Sequence, residues 1–171
     1  MNRLKKYYYI ILSVLILLSS CFPQKRISST ASSKVVKKYS TIMEVSPKKI
    51  TNGKLYNFID QWEGTKHRTG GLDKNGIDCS GFTYLLYRDV YGRQIPRNTS
   101  QQVQVIKRKY ESQLKEGDLV FFDYDNKKNS HVGVFLQNGY YVHVSTKRGV
   151  MVQKLRDPYT YKYFSRGGSV K

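Results

Sequence analysis

The order of its elements predicts an α+β fold for this 171-residue chain. Helix-forming segments come first, over about 54–106, and short apolar strands follow, over about 119–170. Helices followed by antiparallel strands build α+β domains, whereas strict alternation builds parallel sheets. A second observation agrees: Asn138-Gly139 separates two strand-like runs and is a strong hairpin signal. A third is a cysteine, Cys79, placed where a helix should begin.

The first residues read as an export signal over 1–20. Arg3, Lys5 and Lys6 form a charged start, Tyr7 to Leu18 an apolar run, and small residues follow. The run is short for a spanning helix. Leu18-Ser19-Ser20-Cys21 resembles a lipobox, in which the Cys21 thiol accepts a diacylglyceryl group and becomes the new N-terminus. More than one acyl chain gives stable anchoring to a membrane. The alternative is an ordinary secretory signal with an incidental cysteine. Phe22 follows where some lipoproteins carry aspartate, and in Gram-negative bacteria this implies sorting to the outer membrane. Residues 21–53 are rich in Ser, Thr and Lys, and predict a lipidated Cys21 and a flexible tether. As a coil the tether would span about 30 Å, and roughly three times that when stretched.

The net charge is +18, half of it on residues 1–53 and half on the remainder. The domain itself is therefore moderately basic. Such a surface is either solubilising or suited to polyanions. No nucleic-acid motif accompanies it, so nucleic acid is not expected as a partner. The two cysteines, Cys21 and Cys79, stand in unlike contexts, which argues against a disulfide framework and marks Cys79 as a lone thiol.

Leu55, Phe58, Ile59 and Trp62 have helical spacing and predict a helix over about 54–63. Glycines at 64, 70, 71 and 76 predict a loop. Asp78 can cap a helix starting at Cys79, with Phe82, Leu85, Leu86 and Val90 as its buried face and Gly92 as its end. Thr99 or Ser100 can cap a third helix carrying Val103 and Ile106. Strands are predicted at Leu119–Phe122, His131–Leu136, Tyr140–Ser145, Val150–Leu155 and near Phe164–Val170.

A cysteine at a helix N-terminus is chemically informative. Unpaired N–H groups and the helix dipole favour thiolate there, which predicts a lowered thiol pKa. The same N–H groups can hold an oxyanion, and a nearby histidine must take and return the proton. The chain has three histidines, His67, His131 and His143, two of them on neighbouring predicted strands.

Asp78-Cys79-Ser80-Gly81-Phe82 resembles the nucleophile motif of the NlpC family of cell-wall peptidases. Gly117-Asp118-Leu119-Val120-Phe121-Phe122, His131-Val132-Gly133-Val134, Tyr141-Val142-His143-Val144-Ser145 and Pro96-Arg97-Asn98-Thr99 are similar to further motifs of that family, in its order. The resemblance covers about residues 54–171 and implies a papain-like domain in which helices pack on an antiparallel sheet. It also implies Cys79 as nucleophile, His131 as general base and acid, and His143 as the group orienting His131. The implied reaction is hydrolysis of stem or crosslink peptides in peptidoglycan, without a cofactor. Asp78 and Ser80 occupy positions that hold the stem peptide in relatives. One segment departs: Gly64-Thr65-Lys66-His67-Arg68-Thr69-Gly70-Gly71 carries His67 where the family has an oxyanion-site tyrosine. Histidine can also donate, with a far lower pKa. The implied setting is the cell envelope, as a lipid-anchored monomer.

Three other readings stay open. Cys79 with histidines has the residue types of a zinc site, though no paired spacing pins one. The domain could bind wall without catalysis. The same Cys–His chemistry could serve an amidase or acyltransferase.

The hairpin register makes a sharper expectation. Side chains alternate with period two. A simple two-residue turn at Asn138-Gly139 pairs 137 with 140, sets His143 opposite Val134, and leaves His131 on the other face. One extra residue in the loop or a bulge pairs 136 with 140 and sets His143 opposite Gly133. Both imidazoles then share a face, one diagonal step apart at roughly 7–8 Å between backbones. A site built from both histidines requires the second arrangement, with a left-handed residue such as Gly139 closing the loop.

Overall fold

In the computed structural model residues 27–171 are described; the expected signal peptide over 1–20 and the expected lipidation site, Cys21, lie outside them. No helix among the described residues is long and apolar enough to cross a membrane.

The described residues form the α-helices α1 (Ser33–Met43), α2 (Gly53–Trp62), α3 (Cys79–Tyr91) and α4 (Thr99–Gln102). A two-stranded ribbon, β1 (Leu72–Asp73) with β2 (Gly76–Ile77), lies between α2 and α3. The main strands are β3 (Ile106–Lys109), β4 (Leu119–Phe122), β5 (His131–Phe135), β6 (Tyr140–Ser145), β7 (Gly149–Lys154) and β8 (Phe164–Val170). They form one antiparallel sheet in the order β3-β8-β4-β5-β6-β7, as the α+β expectation requires.

Alternation gives the sheet two different faces. Leu119, Phe121, Val132, Val134, Val142 and Val144 point to the helices, where Phe58, Phe82 and Leu86 complete the main core. Val120, Phe122, Phe135 and Tyr141 point the other way and form a second cluster with Leu114 and Leu155, packed by Tyr124, Tyr163 and Phe164. The histidines of β5 and β6 fall on this second, aromatic face.

Two expectations are corrected. Residues 27–53 are not a coil. α1 is capped by Ser32, whose side chain accepts from the Val35 N–H, and buries Val35, Tyr39 and Met43. These apolar residues recur every four positions and form one stripe, hidden in the sequence by the lysines between them. Tyr39 packs on Tyr56 of α2 at 5.5 Å between rings, and the Lys38 ammonium reaches Asp60 at 2.7 Å. Even residues 28–30 are held, since the Asn57 side chain donates to the Ser28 and Thr30 carbonyls at 3.0 Å each. The third helix is also shorter than expected. Asn98, not Thr99 or Ser100, caps it by accepting from the Gln101 N–H at 2.9 Å. It ends at Gln102, and Ile106 instead opens β3, pairing with Val170 at the sheet's edge.

The 137–140 turn carries the register expected for paired histidines. Asn138 and Gly139 both have left-handed φ, 52° and 73°. The Tyr140 N–H closes the turn on the Gln137 carbonyl at 3.0 Å, while the Leu136 N–H also reaches Tyr140, at its carbonyl, at 2.7 Å. Tyr140 thus faces two residues, and the extra one shifts the pairing. Gly133 lies opposite His143, Val134 opposite Val142 and Phe135 opposite Tyr141. The two-residue turn exists, offset by a bulge.

Candidate active site

Cys79 is the first residue of α3 and is half-buried. Helix α3 packs against β5, and the backbone N–H of Val132, one residue from His131, pulls the Cys79 thiol pKa down. The helix that begins at Cys79 thus meets the strand that begins at His131.

The mount beneath Cys79 is ionic. The Asp78 carboxylate caps the helix by accepting from the Gly81 N–H at 2.7 Å. It also takes Ser80 Oγ at 3.1 Å, the Gly70 N–H at 2.8 Å, and the two arms of the Arg97 guanidinium at 2.8 and 2.9 Å. Arg97 further donates to Ser80 Oγ at 3.0 Å and to the Gly71 carbonyl at 2.9 Å. Gly81 makes this possible: a Cβ there would lie 2.8 Å from both the guanidinium and the Gly71 carbonyl. Burial pushes the Asp78 pKa up, but Arg97, the Gly81 N–H and Ser80 outweigh it and hold the carboxyl below its ordinary value. Every lone pair of Asp78 is engaged within the protein, and Ser80 is buried.

The lowered thiol pKa expected for Cys79 is not found. Burial pushes it up, and the Asp78 charge adds to that. The Val132 and Ser80 N–H groups and the Thr99 hydroxyl pull the other way without reversing it. The helix N-terminus favours thiolate, but desolvation of the sulfur is the larger effect here. Asn98 takes the capping role, and the Thr99 hydroxyl acts on the thiol instead, lowering its pKa.

His131 and His143 meet on the aromatic face. His131 Nε2 lies 2.9 Å from His143 Nδ1, with the rings nearly perpendicular at 88°. Gly133 leaves room for this: a Cβ there would lie 2.7 Å from the Tyr141 ring and 3.2 Å from His143 Cβ. Phe122 and Tyr124 flank His131 at 5.9 and 5.5 Å between rings, and Tyr141 flanks His143 at 4.8 Å. Burial among them drives both imidazoles toward the neutral form. The His131 pKa falls to about 3, with His143 and His67 adding to the effect. That of His143 falls to about 4, opposed by its bond to Gln153 and assisted by Arg148.

His67 is on the loop before α3, half-buried, and is bridged to Ile77. The loop is held on both sides: Ile77 N–H donates to Lys66 at 3.0 Å and Val150 N–H to Thr65 at 3.0 Å. Among the described residues no group of three or more His, Cys, Asp or Glu side chains is arranged to hold a metal ion, so the zinc reading of Cys79 finds no ligand set there.

Three roles were not read from sequence: Arg97 as the partner of Asp78, Thr99 as a group that lowers the Cys79 pKa, and Gln153 beside His143. The Gln153 Oε1 lies 3.1 Å from His143 Nε2. Gln153 pairs with Tyr141 across β6–β7 and so shares the histidine face. The signal was the alternation of Val150 and Val152 with Met151 and Gln153. The turn before β7 lacks an Asn-Gly signature that would have set its register.

Comparison with known proteins agrees with this architecture. The chain is 38% identical over 112 residues to a probable endopeptidase, an NlpC homologue of Haemophilus influenzae, covering 66% of this chain and 59% of that protein. It is 38% identical over 109 residues to a protein of Escherichia coli named murein DD-endopeptidase MepS/murein LD-carboxypeptidase, covering 64% and 57%. It thus spans under three fifths of the length of these relatives. Among solved structures, an NlpC/P60 family protein of Bacillus cereus superposes with a TM-score of 0.61 at 28% identity, over 68% of this chain and 39% of the other. The sequence profile of the NlpC/P60 family matches residues 64–168, from the His67 loop to the last strand. The chain belongs to the NlpC/P60 family.

Proposed function

We propose that this protein is a thiol peptidase that hydrolyses peptide bonds of bacterial peptidoglycan, with Cys79 as nucleophile, His131 as base and acid, and His143 orienting His131. The observation that carries the reading is the junction at the His131–Val132 peptide. The Val132 N–H acts on the Cys79 thiol at the start of α3, and the neighbouring His131 has its Nε2 2.9 Å from His143 Nδ1.

The resting pair is a neutral thiol and a neutral imidazole, since burial disfavours both charges. As sulfur attacks the carbonyl carbon, the thiol proton passes to His131. The helix's first turn then offers N–H groups without intrahelical partners to the developing oxyanion. Asp78 already occupies the Gly81 N–H, which leaves those of Cys79 and Ser80. His67, on the loop before α3, is the further donor in this reading. His131 returns the proton to the leaving amine, and a thioester to Cys79 remains. Water then attacks it, giving its proton to His131, and the acid and free thiol are regenerated. The bound Asp78 and Ser80 shape the pocket wall that the substrate's amino-terminal side would meet.

The named relatives carry the substrate class. One is named a murein endopeptidase and another a probable endopeptidase. An export signal ending at Cys21 would place the enzyme in the cell envelope on a lipid anchor, facing that substrate. The held segment at residues 28–31 shortens the tether. Seven residues from Cys21 to Ser28 reach at most about 25 Å, so an anchored domain works close to its membrane.

The test is incubation of the purified chain with defined muropeptides, followed by mass spectrometry. New amino and carboxyl termini are expected from the wild type, and Cys79→Ser should leave the substrate intact while remaining folded, because a serine hydroxyl lacks thiolate character. Comparable turnover by the variant, or release of an acyl-transfer product instead of an acid, would overturn the reading.

A further inference from the structure

We infer that Gln153 is a positioning residue that fixes the tautomers of both imidazoles, so that His131 offers Nδ1 as the proton acceptor. The inference deepens the proposed function and rests on its assignment of Cys79 and His131.

The argument is one of donors and acceptors. A neutral imidazole has one N–H and one lone pair, and the bond made by one nitrogen decides the state of the other. His131 Nε2 faces His143 Nδ1 at 2.9 Å, which any tautomer pair could satisfy provided exactly one of the two nitrogens carries the proton. The direction is decided one step further out. His143 Nε2 faces the Gln153 amide oxygen at 3.1 Å, and an amide oxygen only accepts. His143 must then carry its proton on Nε2 and accept at Nδ1. His131 must donate from Nε2, and its Nδ1 keeps the free lone pair.

The amide is itself oriented. Gln153 Nε2 donates to Thr160 Oγ1 at 3.4 Å, and Thr160 Oγ1 reaches Asp157 Oδ1 at 3.5 Å. A carboxylate only accepts, so the Thr160 proton points at Asp157 and its lone pair at Gln153. Asp157 is held in turn by the N–H groups of Tyr159 and Thr160 at 3.0 and 3.3 Å. The polar chain Asp157–Thr160–Gln153–His143–His131 therefore has one direction. Reversing the amide would set its NH₂ against His143 Nε2, move that proton to Nδ1, and make His131 accept at Nε2. Nδ1 of His131 would then hold a proton, and it could no longer take one from the Cys79 thiol. At a catalytic imidazole, loss of the correct tautomer costs up to about 10⁴-fold in turnover.

Long-range ¹H–¹⁵N correlation spectra of the full chain, labelled in histidine, read the tautomers directly and without substrate. Both His131 and His143 are expected as the Nε2–H form; an Nδ1–H form at either in the wild type would overturn the inference. Gln153→Leu removes the acceptor. It is expected to mix the tautomers and lower kcat on muropeptides at least tenfold with little change in KM. Gln153→Glu restores an acceptor and should recover both the Nε2–H signals and most of the lost kcat. Its added charge should also move the imidazole titration upward. A Gln153→Leu variant with wild-type tautomers and kcat would overturn the assignment. If the spectra show the expected tautomers but no muropeptide is cut, the proposed function fails and the tautomer assignment stands.

Discussion

The two halves of the site are held by opposite means. The Cys79 side is built from charge: a bidentate Asp78–Arg97 pair on the polar rim, with side chains 15% and 35% exposed. The histidine side is built from neutral bonds among aromatic rings, with no ionised partner bonded to either imidazole among the described residues. The difference fits the roles proposed for each half. A general base must be neutral to accept a proton, so burial suits it. The nucleophile must become negative, and Asp78 next to it works against that. Arg97 offsets the Asp78 charge while keeping the cap, so the helix start is rigid without a bare carboxylate beside sulfur.

The neutral half depends on space, and filling that space should have the largest effect. Gly133→Ala puts a methyl group 2.7 Å from the Tyr141 ring and the Val142 carbonyl. The strand can adopt the backbone, so the fold should survive while His143 is pushed aside. A displacement of about 1 Å in such a group can cost about 10²-fold. The expected result is a loss of that order in kcat on muropeptides with an unchanged circular dichroism spectrum. Near wild-type kcat would mean that the hairpin yields and that His143 spacing is not critical.

The charged half depends on a fork, and breaking it should have a smaller effect, read as stability. Arg97→Ala leaves the Asp78 oxygens and the Gly71 carbonyl short of donors. Hydrogen bonds to charged groups contribute about 1.5–3 kcal/mol each, and the exposure of Arg97 favours the lower end for the whole substitution. A loss of about 1–3 kcal/mol in urea unfolding is expected. Arg97→Lys should recover only part of it, because an ammonium cannot reproduce two parallel bonds. Equal stability of all three proteins would show that solvent replaces the clamp.

The same contrast explains what was legible beforehand. The site's backbone frame could be read: Asp78 before an apolar-periodic helix predicts the cap, and the need for two histidines on one face predicts the shift found at the 137–140 turn. Those are local rules of capping and alternation. The thiol's raised pKa could not be read, because the helix N-terminus is visible in sequence and the desolvation by β5 is not. Arg97 and Gln153 reach the site from 19 and 10 residues away in the chain, and their roles depend on the tertiary path. The tether reading over 27–53 failed for a compositional reason. Lys34, Lys37 and Lys38 interrupt the apolar residues of α1, yet Tyr39 and Met43 are fully buried. A stripe needs only one residue per turn to dock a helix.

The last test separates the halves by pH. Both imidazoles have folded pKa values below the ordinary 6.5, about 3 for His131 and about 4 for His143. A group depressed on folding stabilises the native state fully above its unfolded pKa, and that stability is lost as pH falls toward the folded value. For the histidines the loss begins near 6.5. Asp78 is also depressed, but from 3.8, and Glu44 and Glu111 from 4.5, so their losses begin further into acid. Between about pH 6.5 and pH 4.5 the decline therefore belongs to the neutral half of the site. Urea midpoints measured across that interval should fall steadily for the wild type and for Arg97→Lys. In a His131→Gln, His143→Gln double variant the fall should be much shallower, because no buried group is left to take up a proton there. An equal slope in the double variant would place the acid sensitivity elsewhere and remove the case that burial holds these imidazoles neutral.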